Sequence, residues 1–85
     1  MNRVMVTIRV PSGYEEDFEI PSTVKIKKWK NQVIEYYSQR GTIYALNEEG
    51  DWSVFSEERE IMPDETLEEA GIETGSIIFL KRRPK

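Results

Sequence analysis

The sequence contains no cysteine and no histidine, and these two absences remove most of the reaction chemistry open to a small protein. Without cysteine there is no disulfide framework and no thiolate metal ligand. Without histidine, the side chain best suited to proton transfer near neutral pH is missing, and Ser–His–Asp or Cys–His arrangements cannot form. We therefore expect no enzymatic activity, no cofactor and no metal site, and the lack of cysteine fits a cytoplasmic protein.

Long apolar runs are also absent, so the sequence offers no segment of the length that spans a bilayer. Residues 1–10 alternate apolar and polar side chains, which predicts a strand and not a signal peptide. There is no internal repeat and no low-complexity linker. A chain of 85 residues is the size of one small domain, and we expect residues 1–85 to form one.

Charge is unevenly distributed along the chain, whose formal net charge is −4. Residues 48–73 hold eleven acidic side chains and one basic one, whereas lysines surround Trp29 and the last five residues read Lys-Arg-Arg-Pro-Lys. Two solvated faces of opposite sign are the simpler interpretation, and a dipolar surface that orients a partner is the other. An acidic chain disfavours nucleic-acid binding, and contact with anionic lipid is conceivable only through the basic tail.

The first half of the chain predicts a β-hairpin followed by a helix. Apolar residues recur at every second position from Val4 to Val10 and again around Phe18, with a Pro-Ser-Gly turn between. From residue 24 the spacing changes to three and four, which is typical of an amphipathic helix with Trp29 on its apolar side. Ser22 or Thr23 is the predicted N-cap. Gly41 is the predicted stop.

The second half predicts a third strand at 43–46, a fourth at 52–55, a charged loop at 56–60 and a final strand at 77–80. Between the loop and the last strand, Thr66 and Glu69 have the spacing of a capping box. Gly71 follows where a left-handed residue would end the helical turn. These elements predict an α+β fold in which one helix covers a mixed sheet. We expect the first and last strands to lie side by side at its centre, in parallel, because the helix supplies the crossover.

This order of elements resembles the ubiquitin-like β-grasp. The passage 18–24, from strand into helix, and the turn 66–72 are similar to the corresponding passages of ubiquitin. The pattern Met-Pro-Asp-x-Thr-Leu-x-Glu-Ala-Gly-Ile-x-x-Gly over 62–75 resembles the YukD-like proteins, which are bacterial ubiquitin-like proteins associated with type VII (WXG100) secretion. The resemblance covers essentially the whole chain and implies a cytoplasmic accessory factor that acts by binding.

Ubiquitin and related sulfur carriers act through a flexible C-terminal Gly-Gly. Only glycine can pass through the narrow channel of the activating enzyme. Here Leu80 is followed by Lys-Arg-Arg-Pro-Lys, in which Arg83 is bulky and Pro84 is rigid. We therefore expect a non-conjugating protein-interaction module whose partner is a protein, conceivably a secretion-system component. The alternative is a protein modifier or sulfur carrier. A domain of a larger membrane assembly is a third possibility, and for the chain itself we expect a monomer.

The resemblance also suggests where a partner would bind. Ubiquitin's main recognition face lies on its sheet, on the side away from the helix. The corresponding strands here would supply Val54 or Phe55 and Ile78, with Met5 or Thr7 nearby, as an apolar patch.

Tyr44 and Trp52 are further candidate anchors, because aromatic side chains are enriched at binding hot spots. The alternative is that all of these candidates are core residues or isolated exposed apolar residues, which are ordinary on protein surfaces.

Overall fold

The structure is a computed structural model that describes residues 2–41 and 52–82. Its elements are β1 (Arg3–Arg9), β2 (Glu15–Pro21), α1 (Ile26–Gln39), β3 (Trp52–Ser56), β4 (Arg59–Ile61) and β5 (Ile77–Arg82). The five strands form one sheet in the order β2-β1-β5-β3-β4. β1 and β5 are parallel, and the other neighbours are antiparallel. The predicted α+β class and central parallel pair are confirmed.

The core lies between α1 and the face of the sheet that it covers. Alternate residues of β1 and β5 point into it, and Ile8, Ile78 and Leu80 are almost fully buried. From the helix, Trp29 and Tyr37 complete the same cluster, which confirms that Trp29 is a core residue. Burial of each such side chain stabilises the fold by about 1.5–3 kcal/mol.

The start of α1 differs from the prediction, because neither Ser22 nor Thr23 is the N-cap. Lys25 occupies that position and makes no side-chain cap. The Ser22 hydroxyl instead donates to the carbonyl of Asn2 at 3.3 Å. The helix is capped from elsewhere in the chain: the Ile26 and Lys27 amides donate to carbonyls of residues 65 and 63, at 2.9 and 3.1 Å. A tertiary contact thus replaces the local cap that the sequence suggested.

At its other end the helix stops as predicted. Gly41 has φ of 76°, in the left-handed region, and its amide donates to the carbonyl of Ser38 at 3.0 Å. Glycine adopts this conformation without a Cβ clash, so the last turn closes here.

The strands after the helix are partly as expected. The predicted strand at 52–55 is confirmed as β3, whereas the predicted strand at 43–46 lies outside the described residues. The charged loop expected over 56–60 is wrong, because Arg59–Ile61 forms β4 and pairs with β3. Glu57 takes the left-handed turn position with φ of 58°. Burial of Ile61, which is 1% exposed, stabilises this short strand despite its charged neighbours.

The capping box predicted before the last strand is confirmed. The Glu69 amide donates to the Thr66 hydroxyl, and the Thr66 amide donates to the Glu69 carboxylate, both at 3.0 Å. Gly71 has φ of 77° and ends the turn. Leu67 and Ile72 from this turn are buried, so the capped segment closes one end of the core.

Tyr37 joins α1 to the β1–β2 hairpin. Its side chain is 0% exposed, and its hydroxyl donates to the Ile8 carbonyl at 2.5 Å while accepting from the Glu16 amide at 3.1 Å. Ile8 and Glu16 are cross-strand partners, so one hydroxyl bonds to both strands. Burial raises the pKa of Tyr37 above its ordinary value of 10.0, because the charged phenolate would lose its hydration.

The Glu16 side chain is held by two phenols and a guanidinium at the same end of the hairpin. Its carboxylate accepts from the Tyr14 and Tyr36 hydroxyls and lies 3.1 Å from the Arg40 Nε. These hydrogen bonds, that from Tyr14 foremost, lower the pKa of Glu16 below its ordinary value of 4.5. The cluster ties the end of α1 to the first residues of β2.

Candidate protein-interaction face

The side of the sheet that α1 does not cover, here called the outer face, is set by the alternation of β1, β5 and β3. On β5, Ile78 and Leu80 point to the core, so Ile77, Phe79 and Lys81 point to the outer face. The same period places Met5 and Phe55 on this side.

Four apolar side chains from three strands form what we call the aromatic patch: Met5, Phe55, Ile77 and Phe79. Met5 and Ile77 are 43% and 44% exposed, and the two phenylalanines are half-buried. Phe55 and Phe79 lie directly opposite one another in the β3–β5 register. Ile77 lies one strand away from Thr7, the residue between Met5 and Arg9 on this face. The patch therefore occupies the middle strands of the sheet.

Two cations lie over the aromatic rings of the patch. The Lys81 ammonium is 4.9 Å from the centre of the Phe55 ring and 5.9 Å from that of Phe79. The Arg9 guanidinium is 5.8 Å from the Phe79 ring centre. Each such contact contributes about 0.5–1 kcal/mol at an exposed site and holds the charge close to the apolar surface.

Carboxylates from β2 border the patch on one side. The Thr7 hydroxyl donates to Asp17 at 2.6 Å, and Arg9 forms a 2.7 Å ion pair with Glu15. Glu19, opposite Met5 in the register, continues this acidic row along the outer edge of the sheet. The outer face thus passes from an acidic edge strand to a central surface that is aromatic and cationic.

The residues predicted from the sequence to form a patch lie on different sides of the sheet. Phe55 points to the outer face, as that interpretation required. Outward placement of Val54 and Ile78 is wrong, because they are 1% and 0% exposed and point into the core. Trp52 is 7% exposed and packs in the same core, so it is not a surface anchor. Tyr44 lies outside the described residues.

Ile77 and Phe79 were missed as patch residues, because no signal in the sequence separates them from Ile78 and Leu80. Positions 77–80 are all apolar, so the run itself does not reveal which pair faces the core. Lys81 and Arg82 follow directly, and both are charged, so the preference of charged residues for the exposed side favours both alternations equally. The structure decides between them: Lys81 is exposed on the same side as Ile77 and Phe79, whereas Arg82 is half-buried on the same side as Ile78 and Leu80.

Residues 2–41 and 52–82 show neither a metal site nor a membrane-spanning helix. Within these ranges, no group of three or more acidic residues is arranged to hold a metal ion. The helix that the structure describes is too short and too polar to cross a membrane.

No protein-family model matches the chain, and no curated protein sequence matches it. Solved structures do. The ubiquitin-like domain of EccD5 from Mycobacterium xenopi superposes with a TM-score of 0.84 at 13% identity, covering 100% of this chain and 99% of that one. The ubiquitin-like domain of the type VII secretion protein EccD1 of Mycobacterium tuberculosis gives 0.77 at 19% identity, covering 95% and 99%.

A chain of the MycP5-free ESX-5 inner membrane complex matches with a TM-score of 0.83 at 10% identity, covering 100% of this chain and 22% of that one. At such low identities the likeness establishes the fold alone. Together with the sheet order and the one helix found in the described residues, it shows that this chain has the ubiquitin-like β-grasp fold.

Proposed function

We propose that this chain is a non-covalent protein-interaction module that docks a partner on the outer face of its sheet. The observation that carries the proposal is the aromatic patch. Phe55 and Phe79 keep part of their surface in solvent beside the exposed Met5 and Ile77, at the middle of the sheet and beside two cations. Aromatic residues and methionine are enriched at protein interfaces relative to the rest of the protein surface.

The proposal includes a setting, the bacterial type VII secretion system. Two lines support it. The sequence pattern over 62–75 resembles the YukD-like proteins, and one of the similar structures is described as the ubiquitin-like domain of a type VII secretion system protein. A cytoplasmic accessory factor of YukD type is the role that fits both. The partner would then be another component of that system.

The proposed role is non-conjugating. Directly after Leu80 the sequence reads Lys-Arg-Arg-Pro-Lys, where a modifier or sulfur carrier would need flexible glycines. Incubation with a ubiquitin-type or sulfur-carrier activating enzyme and ATP, followed by intact-mass measurement, should leave the mass unchanged. An adenylate or thiocarboxylate adduct at the chain terminus would instead establish the carrier function.

The docking face is tested by affinity capture from the native cell with purified wild-type and variant chains. Phe79→Asp and Phe55→Asp should each remove the same captured protein, because an anchor residue contributes about 2 kcal/mol or more, a loss of about thirtyfold in affinity. Gln32→Asp, on the exposed side of α1, is the matched control and should retain it. Circular dichroism should show that all three variants are folded.

Capture that both phenylalanine variants retain would contradict the proposed face. Ile78 is unsuitable for this experiment, because it is fully buried and a carboxylate there would unfold the chain.

A further inference from the structure

The outer face carries charges of both signs, some of which are paired with one another and some of which are not. Arg9 is paired with Glu15, and Asp17 accepts a hydrogen bond from Thr7. Over the ranges that the structure describes, by contrast, neither Lys81 nor Glu19 forms an ion pair. Both are exposed.

Lys81 and Glu19 lie at opposite corners of this face. Glu19 is opposite Met5 on the edge strand β2, whereas Lys81 lies two residues beyond Phe79, which pairs with Arg9. The two positions are therefore separated by about six residues along the strands, or about 20 Å, and by two strand spacings, or about 10 Å. The aromatic patch lies on the diagonal between them.

From this layout we infer that the outer face is self-complementary and that a second copy of this chain binds to it, face to face, about a two-fold axis beside Ile77. The inference rests on the proposed function in that both assign binding to this face. A two-fold axis pairs Lys81 of each copy with Glu19 of the other, so that each ion pair forms twice. Each copy thus offers Glu19 to a Lys81 that forms no ion pair within residues 2–41 and 52–82.

The same axis brings the apolar residues together. Ile77 lies near the axis and meets its own counterpart. Phe79 and Phe55, displaced from the axis toward Lys81, come over Met5 of the second copy, which is displaced toward Glu19. Polar pairs then surround an apolar centre, which is the usual arrangement of a protein interface. The monomer expected from the sequence is the dilute form of this equilibrium.

Sedimentation velocity over a range of concentrations tests the inference. Because only one face of a small domain is covered, we expect a weak dimer with Kd between about 0.1 and 1 mM. Lys81→Glu and Glu19→Lys each place like charges together twice, and each should raise Kd by about fivefold or more. The double variant recreates both pairs with reversed sign and should return Kd to within about twofold of wild type.

Amide chemical shifts locate the contact. In wild type, resonances of Met5, Ile77 and Phe79 should move with concentration, and those of exposed α1 residues should not. A wild-type chain that stays monomeric at about 1 mM would overturn the inference. So would single variants that dimerise like wild type, or a double variant no better than the single ones.

Failure here is distinguishable from failure of the proposed function. If Phe79→Asp removes the captured partner but no dimer forms, the docking proposal stands and the self-association falls. If the charge swap restores a dimer while Phe79→Asp retains the captured partner, the self-association is supported and the docking proposal is refuted.

Discussion

Replacing Tyr37 with phenylalanine isolates the contribution of one buried hydroxyl to the stability of this fold. Phenylalanine keeps the ring and its edge contacts with Tyr14 and Phe18, whose centroids lie 5.7 and 5.6 Å away. It removes the hydrogen bonds to the Ile8 carbonyl and from the Glu16 amide. Each bond contributes about 0.5–1.5 kcal/mol net, so we expect a loss of about 1–3 kcal/mol in the free energy of unfolding.

The expected fall in Tm is about 5–20 °C for a domain of this size. Urea unfolding followed by tryptophan fluorescence measures the loss, and an unchanged m-value shows that the same surface is exposed on unfolding. Tyr36→Phe is the matched control. It sits next to Tyr37 on the helix, but its hydroxyl bonds only to the half-exposed Glu16 carboxylate, so its effect should be smaller.

Alkaline pH supplies a second, independent check on Tyr37. Its folded-state pKa is raised above the ordinary value of 10.0, so the folded chain favours the neutral phenol. The resulting stabilisation is fully present below about pH 10 and is lost as pH rises through the folded-state value. The difference in stability between wild type and Tyr37→Phe should therefore shrink above pH 10. Equal stability at neutral pH, or a difference that stays constant in alkali, would refute the reasoning.

Two further predictions test which residues face each side of the sheet and how Glu16 is held by Tyr14, Tyr36 and Arg40. Ile78→Asp should unfold the chain, with a loss of more than about 4 kcal/mol in the free energy of unfolding, because Ile78 is fully buried. The same substitution at the exposed neighbour, Ile77→Asp, should change that free energy by less than about 1 kcal/mol. Thermal melts followed by circular dichroism measure both, and similar losses would contradict the assigned alternation. The pKa of Glu16 is lowered mainly by the hydrogen bond from Tyr14, so its stabilisation is present above pH 4.5 and is lost as pH falls through the folded-state value. Glu16→Gln should consequently be less acid-sensitive than wild type in unfolding measured from pH 6 to 2, and an identical acid profile would oppose this.

Features that depend on a few neighbouring residues could be predicted from the sequence. The capping box of Thr66 and Glu69 and the glycine stops at 41 and 71 need only contacts within four or five residues, and all are present. The parallel pairing of β1 and β5 followed from their apolar character and from the helix between them.

Features that depend on distant residues could not. The amides at the start of α1 are capped by carbonyls of residues 63 and 65, about forty positions away, and no local pattern encodes that contact. β4 is three residues long, too short for its alternation to be read among charged neighbours.

The candidate face lies between these cases. Its strands were identified correctly, but the uniformly apolar run 77–80 left its inward and outward residues undetermined. The expected patch therefore contained Ile78, which is buried, in place of Ile77 and Phe79. The two charged residues that follow, Lys81 and Arg82, lie on opposite sides of the strand and so do not resolve the ambiguity.

The central pairing of β1 with β5 also determines when the aromatic patch comes into existence. Thr7 pairs with Ile77 across some seventy residues of intervening chain, so Met5 and Phe79 share a surface only after β5 has been synthesised and has joined the sheet. The β1–β2 hairpin and α1 can form earlier from local contacts, but neither contains the patch. A partner that binds to the aromatic patch would therefore bind only chains in which β5 has joined the sheet, and partly folded chains would not be bound.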